Sequence, residues 1–256
     1  MSFHTIGFMK SLSSAAGMKE VTPLDDGVLR QDETNRIIHT RLLCFAGFAM
    51  SPNLTQVELR AEGQYLTRIR PFNTGSTMPS VPNFDIRVEN PIAIPAFQHI
   101  ILNADTNSNA EICWVFLWLT TGLQRLSDVE VMTVRGTVTQ TIGTQNTWTE
   151  LNRITWDPTF PPGRYAVLGS EHYALTSGGA AGNALMHRWI FDGQLFRPGA
   201  PSQRTSTAIT HELFYRGSQL GVWGTFQSPL MPRCQVFSAG TTDNQHFIHL
   251  YVAHIG

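Results

Sequence analysis

Beyond residue 36 the chain is written in short apolar runs separated by glycine, proline and asparagine. No helical period of any length survives past residue 20. Apolar-rich runs predict strands over 38–49, 54–59, 65–69, 84–88 and 112–119, then over 129–142, 148–154, 164–169, 184–191 and 220–226. Leu66-Thr67-Arg68-Ile69-Arg70 alternates in part, the mark of a half-buried strand. The run 112–119 is apolar at every position, which predicts burial on both faces. Between the runs lie turn-forming segments: 71–82, Pro161-Pro162-Gly163, the Gly/Ala loop 177–182 and the Pro/Gly loop 196–204.

One pattern occurs twice. Residues 91–119 run as a Pro-bounded segment, a polar loop N-A-D-T-N-S-N-A and the apolar run E-I-C-W-V-F-L-W-L. Residues 229–256 repeat that order with P-L-M-P-R-C-Q, the loop A-G-T-T-D-N and Q-H-F-I-H-L-Y-V-A. A single offset places Pro95 on Pro232, Gln98 on Gln235, Asn107 on Asn244 and Val115 on Val252, with Trp114 on Tyr251. Each copy closes one half of the chain, so one β-unit has been built twice. Short strands with this punctuation, seven or eight to each half, predict an all-β chain of two tandem eight-stranded jelly rolls. The expected division is an N-terminal arm over 1–35, a first roll over 36–125 and a second over 126–256. Within the arm, Phe8, Leu12 and Ala16 stand at helical spacing, so a short helix over 7–19 is expected.

Composition changes this picture in one respect. Charged residues make up 14% of the 256, against roughly 25% in a typical soluble domain. A chain so short of charge is expected to hide much of its surface against partners. The net charge of -1 gives the body no bulk attraction for nucleic acid. The only lysines are Lys10 and Lys19, and no acidic residue precedes Glu20, so the first 19 residues form a small basic arm. That arm could face a membrane or a genome, or be a disordered terminus. Cys44, Cys113 and Cys234 sit among apolar residues and are expected as buried free thiols in a reducing compartment. No secretory signal is visible, and the longest apolar run falls far short of a membrane span, so a soluble chain is expected before assembly.

Tests for chemistry return little. His246, His249 and His254 suggest a metal set, but alternation sends His246 and His249 to opposite faces. His246 and His254 share a face roughly 26 Å apart, too far for one zinc ion. Glu171 and His172, as neighbours, also diverge. The Gly178-Gly179-Ala180-Ala181-Gly182 loop has no following lysine. H-F-I-H has one residue too many for the metal pair of a cupin. Asp105/Asn107 and Asp243/Asn244 offer oxygen to calcium, or simply form turns. The tryptophans and phenylalanines lie inside apolar runs and read as core rather than as stacking platforms for sugars or bases. No catalytic residue, no cofactor and no metal site is expected.

The second half carries more specific segments: P-P-G-R-Y-A-V-L-G at 161–169, H-R-W-I-F-D-G-Q-L-F-R-P-G at 187–199, G-V-W-G-T-F at 221–226 and P-L-M-P-R-C-Q at 229–235. With the duplicated sandwich and the basic arm, the chain resembles the double jelly-roll major capsid proteins of icosahedral bacteriophages, small lipid-containing ones in particular, a lineage that includes tectivirus- and adenovirus-type shells. The resemblance covers roughly residues 36–256. It implies a non-enzymatic subunit that forms homotrimers of pseudo-hexagonal outline, which tile an icosahedral virion shell around the genome. The implied partners are further copies of the chain, vertex and minor capsid proteins and an internal lipid membrane, with no sequence-specific nucleic-acid binding. Assembly in the host cytoplasm and residence in the virion follow from the same resemblance. Phe3, Phe8, Met9, Lys10 and Lys19 of the arm are the expected inner-surface or membrane contacts. A carbohydrate-binding or adhesion sandwich is the alternative, and a cupin-type metal enzyme a third.

Overall fold

The computed structural model describes residues 3–12, 17–21, 41–49, 54–61, 64–69, 83–86, 92–93, 100–106, 111–120, 122, 124, 126–144, 147–176, 185–194, 197–205, 221–238 and 243–256. Every regular element among them is a strand. They gather into two compact units, Ile6–Gly122 and Leu123–Gly256, with Met1–Thr5 grouped with the latter.

The first unit begins with β1 (Phe3–Leu12) and β2 (Lys19–Val21), followed by β3 (Arg41–Ala49), β4 (Leu54–Ala61) and β5 (Gln64–Ile69). Then come β6 (Asn83–Ile86), β7 (Ile92–Ala93), β8 (Ile100–Thr106) and β9 (Glu111–Thr120). One sheet runs β1-β9-β3-β6 with β7 also on β3, and the other runs β2-β8-β4-β5. Strand β6 pairs with Cys44–Gly47 and β7 with Arg41 and Leu42, so the two are successive pieces of one broken strand along β3. Counted that way there are eight strands, ordered first–eighth–third–sixth in one sheet and second–seventh–fourth–fifth in the other. This is the Greek-key arrangement of a jelly roll.

Alternation builds the core. In β8, Ile100, Leu102, Ala104 and Thr106 turn inward while Ile101, Asn103 and Asp105 are half-buried. Phe8, Leu12, Val21, Val57, Leu59, Leu102, Leu117 and Leu119 pack with them into one cluster. Leu117, Trp118 and Leu119 are buried in succession, so this part of β9 is covered on both faces as expected.

The second unit repeats the plan with β10 (Val131–Thr139), β11 (Thr147–Glu150), β12 (Thr155–Asp157), β13 (Gly163–Thr176) and β14 (Leu185–Ile190). It continues with β15 (Gly199–Pro201), β16 (Gln203–Thr205), β17 (Gly224–Ser228), β18 (Arg233–Ser238) and β19 (Asp243–His254). One sheet runs β12-β10-β19-β13 with β16 and β17 on β13, and the other runs β11-β18-β14-β15. With β12 as an added edge and β16 as a short parallel addition to β13, the order is again first–eighth–third–sixth and second–seventh–fourth–fifth. The chain is all-β and holds two jelly rolls.

Three expectations need correction. The helix over 7–19 is not formed. Phe8 and Leu12 are four apart, a spacing that lines up on a helix but, being even, also on one face of a strand, and β1 takes the second option. The stretch expected to be an arm therefore supplies the first and second strands of the first roll. The polar loop expected to open at Asn103 starts later, because Asn103 and Asp105 occupy the half-buried face of β8. The duplicated segments do map onto equivalent strands, β8–β9 and β18–β19. Val115 and Trp114 lie on β9, and Val252 and Tyr251 on β19, each the eighth strand of its roll. Pro95, Gln98 and Asn107 lie outside the described residues.

Candidate functional site

The inner space of the second roll is polar where a sandwich is ordinarily dry. Residues paired in register share a face, so Ser170, His172 and Ala174 of β13 turn inward with Leu250, Ile248 and His246 of β19. From the facing sheet, β14 sends in His187 and Trp189. His172, His187 and His246 are fully buried. The His172 and His246 rings stack at 14° with centroids 5.4 Å apart, and His187 lies 5.5 Å from His172.

Partners fix the protons. The His246 Nε2–H donates to the Gln140 carbonyl oxygen at 2.9 Å, which leaves its Nδ1 as an acceptor. The His172 Nε2–H fills that acceptor at 3.2 Å. A neutral His172 then ends in a bare lone pair at Nδ1, and this atom has no hydrogen-bond partner among the described residues. His187 is held differently. Its Nδ1 shares a hydrogen bond with Ser202 Oγ at 2.8 Å and its Nε2 one with Ser170 Oγ at 2.5 Å, and Ser170 Oγ also accepts the Trp189 indole N–H at 2.7 Å. Burial, and then the neighbouring His246 and His187, hold the His172 pKa well below the usual imidazole range. Burial pushes His187 down to about 3, against a smaller upward pull from Glu171. Among the described residues no three His, Cys, Asp or Glu side chains are grouped as metal ligands.

On the outer face of the same sheet a row of side chains crosses three strands. Arg135 of β10 lies 5.5 Å from the centre of the Phe247 ring, and Phe247 stacks on Tyr173 at 4.8 Å. Tyr173 meets His249 edge-on at 6.3 Å, and His249 Nδ1 stands 3.3 Å from the Glu171 carboxylate. Burial raises the Tyr173 phenol; Arg135 opposes that rise and Glu171 adds to it. The outer face of the other sheet carries a second group. Arg188 lies over the Trp148 ring at 3.8 Å and donates from Nε to Gln235 Oε1 at 2.8 Å, while Trp148 meets Phe237 edge-on at 5.6 Å.

The expected divergences hold: His246 is inside and His249 half-exposed, and Glu171 faces away from His172. The mutual contact of His172, His187 and His246 had no signature in sequence, because it depends on two sheets facing each other. Of the expected inner-contact residues, Phe8 is a correction. It is 3% exposed and belongs to the first roll's core, where the even spacing of β1 directs it. Phe3, Met9 and Lys10 lie on β1 with side chains outside the described set. Lys19 is half-buried on β2; its Nζ donates to the Gly17 carbonyl at 3.0 Å and stands 3.8 Å from Asp105. Asp105 also accepts the Thr106 backbone N–H at 3.0 Å, so it serves β8 rather than a turn. The Gly178–Gly182 loop lies outside the described residues, as do the Cys44 and Cys113 side chains; Cys234 is a buried free thiol.

The two strand orders define a double jelly-roll protein. No protein-family model matches the chain, and no curated protein matches it. Among solved structures, it is similar to the major capsid protein P2 from bacteriophage PM2, with 9% identity over 100% of this chain and 97% of that one, at a TM-score of 0.28. It is similar also to the STIV MCP, with 8% identity over 99% of this chain and 97% of that one, at a TM-score of 0.26. Superposition at that level carries no weight of its own, and the fold assignment rests on the strand order.

Proposed function

We propose that the chain is the repeating subunit of a viral shell: a major capsid protein that forms homotrimers of pseudo-hexagonal outline, which in turn tile an icosahedral virion. The observation that carries this reading is a complete jelly-roll strand order found twice in one chain whose charged residues are only 14% of the total. Two rolls in tandem give one chain two similar lateral profiles, so three chains can present six. A surface short of charge is suited to being covered by neighbours. Val131 and Leu230, 50% and 69% exposed, are apolar points for such contacts. Phe3, Met9, Lys10 and Lys19 are our proposed contacts on the inner side, toward the genome or an internal membrane; vertex and minor capsid proteins would complete the shell. The carbohydrate-binding alternative gains no support from Trp118 and Trp189, which are fully buried and offer no stacking platform. Electron microscopy of the expressed chain tests the reading. Closed shells or sheets of three-fold units are expected, and a field of separate single chains at all concentrations would refute it.

A further inference from the structure

The histidine core of the second roll has a property that goes beyond a shell-building role and belongs to the single chain. Every ring nitrogen of the three histidines except His172 Nδ1 is committed to a hydrogen bond, and each place where a further proton could go breaks something. A proton on His172 Nδ1 creates a cation in a fully buried site, and the new N–H meets no acceptor among the described residues. A proton on His246 Nδ1 takes the lone pair that His172 Nε2–H uses, leaving two N–H groups face to face at 3.2 Å. A second proton on His187 makes both its nitrogens donors, so Ser170 Oγ, which already accepts from Trp189, must accept a second N–H and turn its own hydrogen elsewhere. Rings whose centres lie 5.4 and 5.5 Å apart would also repel once charged.

Among the described residues no carboxylate shares the inner face with these rings. Glu171, which pulls weakly upward on His187, is on the opposite face of β13 with His249. On β18 the inward titratable group is Cys234, a neutral thiol. The residues of β10 that share the inner face with β19 are Met132, Val134, Gly136 and Val138, none of which titrates. The charged residue of β14, Arg188, lies over Trp148 on the outer face. On β16 the charged residue is Arg204, in register with Ala174, with its side chain outside the described set.

We propose that the stacked pair His172–His246, closed at one end by the Gln140 carbonyl and open at the other at His172 Nδ1, is an acid-sensitive latch: the second roll holds while both rings stay neutral and opens as the pH falls. The sign follows from linkage. In the unfolded chain a histidine takes its proton near pH 6.5, whereas these rings resist it in the fold. Stability is therefore whole above that pH and is lost progressively as the pH falls below it, down to the depressed pKa of the folded state.

Urea unfolding of the purified chain at pH 7 and pH 5, followed by tryptophan fluorescence, tests this on wild type and His172→Gln. Glutamine can keep the N–H donated to His246 while removing the protonatable nitrogen. For each histidine held neutral, the unfolding constant rises about 25-fold between pH 7 and pH 5. The wild-type rise should exceed that of His172→Gln by about this factor, and equal rises would overturn the proposal. Should the variant fail to fold at pH 7, imidazole ¹⁵N spectra of the folded wild type at pH 5 decide. Neutral Nε2–H rings at both 172 and 246 support the latch; imidazolium signals at either position overturn it.

Discussion

Thr5 and Gly199, 194 positions apart in the chain, share two hydrogen bonds: the Gly199 N–H donates to Thr5 Oγ1 at 2.8 Å, and that hydroxyl donates to the Gly199 carbonyl at 3.3 Å. The Thr5 backbone N–H adds a third contact, to the Arg197 carbonyl at 3.3 Å. One small side chain thus closes a backbone edge of β15. The position across from it must be glycine, because a Cβ on Gly199 would collide with the His187 carbonyl oxygen. Replacing Thr5 with valine keeps the shape and removes both bonds. A loss of about 1–3 kcal/mol is expected in urea unfolding, with Thr5→Ser close to wild type. Equal stability of Thr5→Val and wild type would show that the bonds contribute nothing net.

The role of β1 gives a second prediction. Read as an arm, residues 1–12 should be dispensable for folding. In the fold they pair with β9, and Phe8 and Leu12 sit in the core cluster of the first roll. Removing residues 1–12 deletes one of eight strands and exposes Leu117 and Leu119. Limited proteolysis should then cut rapidly within 13–122 and only later within 123–256, which loses the Thr5 bonds but none of its strands. Equal protection of both halves would restore the arm reading.

Cys234 faces the second roll's interior at 0% exposure, and burial, with Glu150 adding to it, drives its thiol pKa far above the ordinary value. With so little thiolate and no access, Cys234 should stay unlabelled by an aromatic disulfide reagent in native buffer and react fully in denaturant. Peptide mapping checks this, and fast native labelling at that cysteine would contradict its placement.

Tyr173 contributes to stability at alkaline pH. Its phenol is raised from the usual value of 10, so the unfolded chain ionises first. The contribution is intact below pH 10 and is lost as the pH rises through the folded value. Tyr173→Phe should lose less stability than wild type between pH 9 and pH 11 in matched urea titrations. Parallel losses would place the cause elsewhere.

Much of this fold was legible in sequence because strand alternation and turn chemistry are local. The burial of Leu117–Leu119, the opposed faces of His246 and His249, and the twin β8–β9 and β18–β19 pairs all follow from period two and from the repeated order of segments. What was not legible is what depends on non-local choice. Spacing four at Phe8 and Leu12 satisfies helix and strand alike, and only the need of β9 for a neighbour decides between them. The contact of His172, His187 and His246 requires two sheets to close face to face, which no short window of sequence encodes. The Thr5–Gly199 pair spans most of the chain and left no local trace.

The shell reading is tested most directly by the mass of the purified chain in solution at micromolar concentration, measured by light scattering. On that reading the chain should register about three times its 28.5 kDa, or a far larger particle. A stable, monodisperse species at 28.5 kDa across that range would contradict it.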